Sequence, residues 1–416
     1  MPENGKLTIC YHSWLTFSED ENFDGILSQI AERGFNCVRI EDGAGLLWDE
    51  AGKPRGEVLI CSPFGPYTEY TTYRIMVREK KLDILDRVLR ICRSAEKLRM
   101  RVILSNWFFL HTNWFCTEEL KNEIFALSTE RKMRYFAAEL GRLLDVLRKE
   151  GLLPVIAFAE LFNEFGGLPF AGEYGSVADE EAERLRLLHE EAISCLKRKN
   201  PDVLFAYDDY KPEMNPRLIP RNIDVLNFHF YYAWEIYVKV FERGVVCWSL
   251  EEPVIPQETR YFLKEDVLPV KTVADAMNHI ETGLDWPRRI SLYASIDNGR
   301  QPELTALLDR EMREQQEYYL RKLRNGVDAV CRLHDDLVPD SLLVMGEGMT
   351  YCASPSLRFE ADSEAFWDIL REQMILLRDK GLWGAVLATT HAPGRIAGWE
   401  TNRERYAERN RLFLEI

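Results

Sequence analysis

Two short stretches of this 416-residue chain carry acids where packing does not call for them. Leu161-Phe162-Asn163-Glu164-Phe165 follows an apolar run, and a polar pair closing such a run has no place in a hydrophobic core. Val344-Met345-Gly346-Glu347-Gly348 sets a lone carboxylate between glycines, which let the backbone approach closely and leave the acid reachable. Taken singly, either glutamate could be a capping or salt-bridged surface residue. Brought together, they divide the labour of a displacement: one carboxyl, protonated, assists departure, and the other, ionised, attacks. Glu164 and Glu347 are the catalytic candidates. Whichever of them holds the proton is expected to have its pKa raised by the negative partner beside it.

The elements that would position this pair follow from periodicity. Short β-branched and aromatic runs alternate with long amphipathic segments, which is the pattern of strand-helix-strand units around a parallel sheet. Strands are expected near residues 7–14, 35–41, 101–107, 154–161, 203–208, 223–230, 341–346 and 383–389. Eight strands close a barrel, so the predicted class is α/β, a (β/α)8 TIM barrel. Asn163-Glu164 and Glu347 then end the fourth and seventh barrel strands, facing each other across the mouth. Helical spacing is clearest over Leu82–Leu98, Glu130–Glu150, Asp179–Lys199, Leu304–Leu333 and Glu364–Lys380. After the fifth strand, Pro212, Pro216 and Pro220 leave room for only a turn or a short helix.

No repeat, low-complexity tract or linker divides the chain, and residues 1–416 read as a single domain. Two connections are long: about 42–79 after the second strand, and an inserted loop at about 231–302 after the sixth. Loops of that length in a barrel extend from the catalytic face. Phe64, Tyr67, Tyr70, Tyr73, Trp234, Trp248, Tyr261, Trp286 and Tyr293 fall in them, either to stack on the rings of a ligand or to pack the loops down.

The order of these motifs resembles the clan A glycoside hydrolases, most of all their cellulase-like family 5 members, over roughly residues 7–411. The resemblance implies Asn163-Glu164 as the strand-four pair with Glu164 as acid/base, and Glu347 as the strand-seven nucleophile. Arg39 in Val38-Arg39-Ile40 matches the strand-two arginine, and His229-Phe230-Tyr231 matches the His-x-Tyr at the end of strand six. Arg39 would be a buried cation that keeps Glu347 ionised. Asn163 would bond the sugar 2-hydroxyl, Tyr231 would orient Glu347, and His229 would bond either the acid/base or the sugar, unless it is a satisfied core histidine. The implied activity is hydrolysis of a β-glycosidic bond with retention, which needs carboxyls about 5–5.5 Å apart. A carbohydrate-binding barrel without turnover is the alternative from another class, and a metal-dependent hydrolase or lyase is a third.

The sequence also departs from that family. Strand three ends Ser105-Asn106-Trp107 where many members have a histidine, and strand eight ends Ala388-Thr389-Thr390-His391 where they favour a tryptophan platform. Trp399 could reach back to serve, or Trp107 or Trp114 could substitute. Asp208-Asp209 after strand five could bind sugar hydroxyls or be solvated acids. His12, His111 and His391 fall near strand ends, but no HExxH or Cys/His cluster supports a metal, no Gly-rich phosphate loop or serine elbow is present, and no cofactor is expected.

The net charge of −15 sets the chain against nucleic acid and suits a neutral carbohydrate. Nine scattered thiols without paired spacing, a start lacking a signal-peptide pattern and the absence of a bilayer-length apolar run give a cytoplasmic expectation with no membrane partner.

Overall fold

The structure, a computed structural model, describes residues 5–12, 14–61, 77, 79–107, 116–167, 177–231, 261–262, 297–348, 358–390 and 398–415. Ten strands are found among them: β1 (Leu7–His12), β2 (Cys37–Glu41), β3 (Glu57–Cys61), β4 (Glu79–Asp83), β5 (Arg101–Ser105), β6 (Ile156–Glu160), β7 (Phe205–Asp209), β8 (Val225–Phe230), β9 (Leu342–Gly348) and β10 (Gly384–Thr390). Eight of them pair in parallel into a closed barrel in the order β1-β10-β9-β8-β7-β6-β5-β2. The expected (β/α)8 barrel is borne out, each predicted strand lying within a few residues of an observed one.

Every residue of β1, β2, β6, β7 and β8 is buried, because a parallel strand has side chains inside the barrel on one face and helices over the other. Outside lie α1 (Phe23–Ala31), α2 (Ile84–Lys97), α3 (Glu118–Phe125), α4 (Thr129–Lys149), α5 (Asp179–Lys199), α6 (Gln301–Glu314), α7 (Gln316–Leu337), α8 (Phe359–Asp362), α9 (Glu364–Asp379) and α10 (Arg403–Leu414). Several start on side-chain caps, where Asp83, Thr117, Ser128 and Ser363 each accept from a backbone N–H of the first turn.

Two expectations change. The 42–79 connection is not wholly irregular: β3 within it pairs antiparallel with β4, from Glu57 opposite Asp83 to Cys61 opposite Glu79. The single helix expected over Leu304–Leu333 is two, α6 and α7, broken at Gln315, and nothing in the local sequence marks the break. Residues 210–224 hold turns and no helix, in keeping with their prolines. Most of the 231–302 loop lies outside the described residues, as do Phe64, Tyr67, Tyr70, Tyr73, His111, Trp114, Trp234, Trp248, Trp286, Tyr293 and His391.

The β8–β9 register carries one irregularity that matters at the site. Phe228 pairs with Met345 but His229 pairs with Glu347, so Gly346 is the extra residue of a bulge. A Cβ on Gly346 would overlap the Asn227 amide. At Gly348, φ is 137° and a Cβ would meet the Phe230 carbonyl oxygen, so both neighbours of Glu347 have to be glycine.

Candidate active site

Arg39 stands at the centre, fully buried inside the barrel. Its Nη1 bonds Glu347 Oε1 from β9. Its Nη2 reaches Glu160 Oε2 (2.7 Å), Asp208 Oδ2 (2.9 Å), Asn163 Oδ1 (2.5 Å) and Ser105 Oγ (3.0 Å), while Nε lies 3.3 Å from Glu160 Oε1. The guanidinium carbon sits 4.6 Å from the centre of the Tyr11 ring. Strand alternation produces this convergence: one inward residue from each of five strands, and Asn163 just beyond β6, meet a planar donor array that accepts them together. Burial opposes the arginine's charge, yet Glu160, Glu347 and Asp208 outweigh it and hold the group firmly protonated.

Glu347 receives a second bond, from Tyr231 Oη to Oε2 at 2.7 Å. Burial lifts its pKa above the usual carboxylate range and the charge of Glu164 adds to this, while His229, Arg39 and the Tyr231 hydroxyl pull it down. Glu164 faces it across the mouth. Its Oε1 lies 2.8 Å from His229 Nδ1, and its backbone N–H donates to Asp208 Oδ2 at 3.4 Å. A φ of 52° puts Glu164 in the left-handed region, a strained setting for a non-glycine residue that is found at sites where geometry is imposed. Asn163 N–H donates to the Asn106 carbonyl at 2.7 Å, and the Asn106 amide donates to the Leu161 carbonyl at 2.7 Å, so the turn after β5 fixes the turn after β6.

His229 links the two acids. Its Nδ1 is 3.4 Å from Glu347 Oε2, and its Nε2 approaches Asp208 Oδ1 to 3.0 Å as an ion pair rather than an aligned hydrogen bond. Burial of the ring disfavours charge, but Asp208 and Glu347 overcome it and raise His229 well above its usual value. Asp208 is itself raised to about 7, chiefly by burial.

The sequence-predicted residues therefore divide. Glu164, Glu347, Asn163, Arg39, His229 and Tyr231 come together, and Arg39 and Tyr231 meet Glu347 as expected. Asp208 and Asp209 are buried rather than solvated: Asp208 lies against Arg39 and His229, and Asp209 accepts from the Tyr207 hydroxyl and the Tyr210 N–H. His229 meets Glu164 with Nδ1 and Asp208 with Nε2, so protein groups face both ring nitrogens. Trp107, half-buried just past β5, packs edge-on against Trp14 at 4.8 Å and stays at the mouth.

Trp399 corrects the expectation of a sugar platform. It is 1% exposed, stacked on Phe35 with Tyr406 against it and the Arg33 guanidinium 4.3 Å from its ring centre, so no face is left for a sugar. His12 is buried at the end of β1. Tyr261, in the 231–302 loop, is exposed and its hydroxyl donates to Glu303 at 2.8 Å.

Glu160, Glu41 and Asn227 were missed. An acid inside an apolar strand is the signal that could have found the first two, by the same reasoning that singles out Arg39. Asn227 donates to Glu160 Oε1 at 2.7 Å and completes the pairing of that carboxylate.

One donor atom each from Glu164, His229 and Glu347 lies within 4.8 Å of the others, a spacing that a cation could bridge. The chemistry of the set fits poorly: Arg39 already bonds Glu347, and a histidine held protonated between two acids has no lone pair to give.

Fold and site together define a (β/α)8 barrel with two facing glutamates at the C-terminal ends of its strands. Among solved structures, a Parabacteroides distasonis protein described as a candidate glycoside hydrolase is similar at TM-score 0.66 and 17% identity, with 99% of this chain and 94% of that one covered. A family 5, subfamily 4 endo-β-1,4-glucanase from Bacillus licheniformis is similar at TM-score 0.53 and 12% identity, with 98% of this chain and 60% of that tri-modular protein covered. An endo-β-1,4-mannanase from Thermotoga petrophila follows at TM-score 0.52 and 11% identity, with 98% and 78% covered. At these identities the likeness is one of fold, and it bears out the fold that the motif resemblance implied. No family model matches the chain, and no curated protein is similar to it in sequence.

Proposed function

We propose that this chain is a retaining glycoside hydrolase that cleaves a β-glycosidic bond in an oligosaccharide or glycoside. The observation that carries the reading is the facing pair: carboxyl oxygens of Glu164 and Glu347 lie within 4.8 Å of one another, close to the separation of about 5–5.5 Å that double displacement requires and short of the roughly 6.5–9.5 Å of inverting enzymes. The solved structures of similar fold, described as glycoside hydrolases, support the substrate class.

Glu164 gives its proton to the glycosidic oxygen as the bond to the anomeric carbon breaks. Glu347 attacks that carbon and forms a glycosyl ester. Glu164, now ionised, takes a proton from water, whose oxygen displaces Glu347 and leaves the configuration retained. Arg39 and Tyr231 both donate to Glu347, which favours its anion and leaves the shared proton on Glu164. With its oxygen committed to Arg39, Asn163 turns its amide N–H groups toward the substrate's 2-hydroxyl. Trp107 is the ring at the mouth that suits a sugar face.

Seven described cysteines are free thiols, which supports a reducing compartment such as the cytoplasm, and no described helix is long and apolar enough to cross a membrane. Replacing Glu347 by Gly tests the reading. Hydrolysis of an aryl β-glycoside should fall by roughly 10⁴-fold or more, and added azide should restore turnover as a glycosyl azide. Undiminished hydrolysis, or no azide product, would count against Glu347 as nucleophile.

A further inference from the structure

Glu41 is a buried acid that this mechanism does not use. It ends β2 two residues beyond Arg39, so strand alternation turns both side chains to the barrel interior. Its Cα pairs with that of Ser105, whose hydroxyl meets Arg39. The Tyr11 hydroxyl donates to Glu41 Oε1 at 2.6 Å. Oε2 is buried and has no hydrogen-bond partner among the described residues.

That half-paired state sets Glu41 apart from the buried acids with structural roles. Glu160 has both oxygens bonded by Arg39, with Asn227 added, and Glu139 takes three backbone N–H groups. A buried polar atom left without a partner is costly unless something arrives to meet it. Glu41 is 1% exposed against 3% for Glu347, so it is shielded little more than the attacking group itself. Burial lifts its pKa well above the carboxylate range, with Glu347 and Asp42 adding to the shift against the Tyr11 hydroxyl and Arg39. A neutral carboxyl whose Oε1 accepts from Tyr11 carries its proton on Oε2, which is then a donor lacking an acceptor.

We propose that Glu41 is a specificity-determining residue of the glycone site, its Oε2 side hydrogen-bonding one ring hydroxyl of the sugar whose anomeric carbon Glu347 attacks, with Tyr11 holding the carboxyl in place. The proposal rests on the glycosidase reading. A sugar hydroxyl is the fitting partner because it accepts from a carboxylic acid and donates to a carboxylate, so it serves either protonation state. Glu41 then discriminates between sugars that differ at that one hydroxyl.

The test measures kcat/KM for the parent aryl β-glycoside and its monodeoxy analogues, with the wild-type protein, Glu41→Gln and Glu41→Ala. Loss of one particular hydroxyl should cost the wild type roughly 10- to 100-fold. Glu41→Ala should pay a comparable penalty on the parent glycoside and little more on that analogue, while its penalties for the other deoxy positions stay as in the wild type. Glu41→Gln, which keeps a donor and an acceptor, should retain most of the discrimination. If Glu41→Ala does not fold, Glu41→Met, close in volume and without hydrogen-bonding oxygens, carries the same comparison. Equal deoxy penalties in wild type and variant at every position overturn the role of Glu41 alone. A wild-type protein that hydrolyses no glycoside overturns the glycosidase reading and this inference with it.

Discussion

Arg39 draws Glu160, Asp208 and Glu347 onto one guanidinium in a fully buried site, and the charges there are balanced by contact rather than by solvent. Within that cluster Glu347, the proposed nucleophile, is tuned by a small number of donors. Tyr231 is one of them: its hydroxyl bonds Glu347 and lowers a pKa that burial has raised. Tyr231→Phe removes the donor, so the acid limb of the kcat/KM profile should move to higher pH by roughly 1 unit. A limb that stays in place, or moves down, would show that Tyr231 does not hold Glu347 ionised. At this scale the sequence was legible where residue type and strand position agree, as for Arg39, Asn163-Glu164, His229-Phe230-Tyr231 and Glu347. It was less so for Asp208, because alternation tells which way a side chain points but not which partner it will find. Trp399 misled for a related reason: its sequence distance from the eighth strand allowed a reach to the mouth, whereas Phe35, Tyr406 and Arg33 bury it elsewhere.

The elements hold the site through local devices that periodicity does not reveal. The bulge at Gly346 re-aims Glu347 toward His229, and a glycine on each side of an acid hints at such a feature without fixing the register. The turn after β2 is tied to α4 by one carboxylate. Glu139 accepts from the backbone N–H groups of Gly45 (2.5 Å), Leu47 (3.0 Å) and Trp48 (3.0 Å), and the Tyr135 hydroxyl donates to the Trp48 carbonyl at 2.6 Å. Burial raises Glu139 to about 7 against the pull of those N–H groups. The folded protein therefore keeps a proton there that the unfolded chain releases near pH 4. Its stabilising contribution is fully present below about pH 4 and is lost as pH rises through about 7.

Glu139→Gln cannot titrate and loses one acceptor oxygen, so it should be less stable than the wild type in acid, with a deficit that shrinks by up to ~3 kcal/mol as pH rises from about 4 to 7. Urea unfolding of both proteins across that range measures it. A deficit that grows with pH would mean that Glu139 is ionised in the folded protein. Sequence reading placed α4 within a residue at each end but gave Glu139 no role, since an acid on an amphipathic helix is normally solvated. The β3–β4 pairing was hidden in a similar way: Glu79-Lys80-Lys81-Leu82-Asp83 is mostly exposed and charged, unlike a buried barrel strand.

Across the whole molecule, the barrel was the most legible feature, because eight apolar runs separated by helical spacing admit few other closures. Closing the ring in sequence order puts the ends of β6 and β9 on opposite sides of Arg39, and so turns two motifs 183 residues apart into one pair of acids, the separation of Glu164 and Glu347 in the chain. What the barrel does not specify is the sugar, since a fold of this kind supports many chemistries through its loops. The stereochemical outcome is different: it depends on the spacing of the two carboxyls and on little else. Proton NMR of an aryl β-glycoside during its first turnovers in deuterated buffer, before mutarotation, reads that outcome directly. Double displacement through Glu347 releases the β-anomer of the sugar as the first product. The α-anomer as first product would contradict it, and Glu347 would then be a base acting on water rather than the nucleophile.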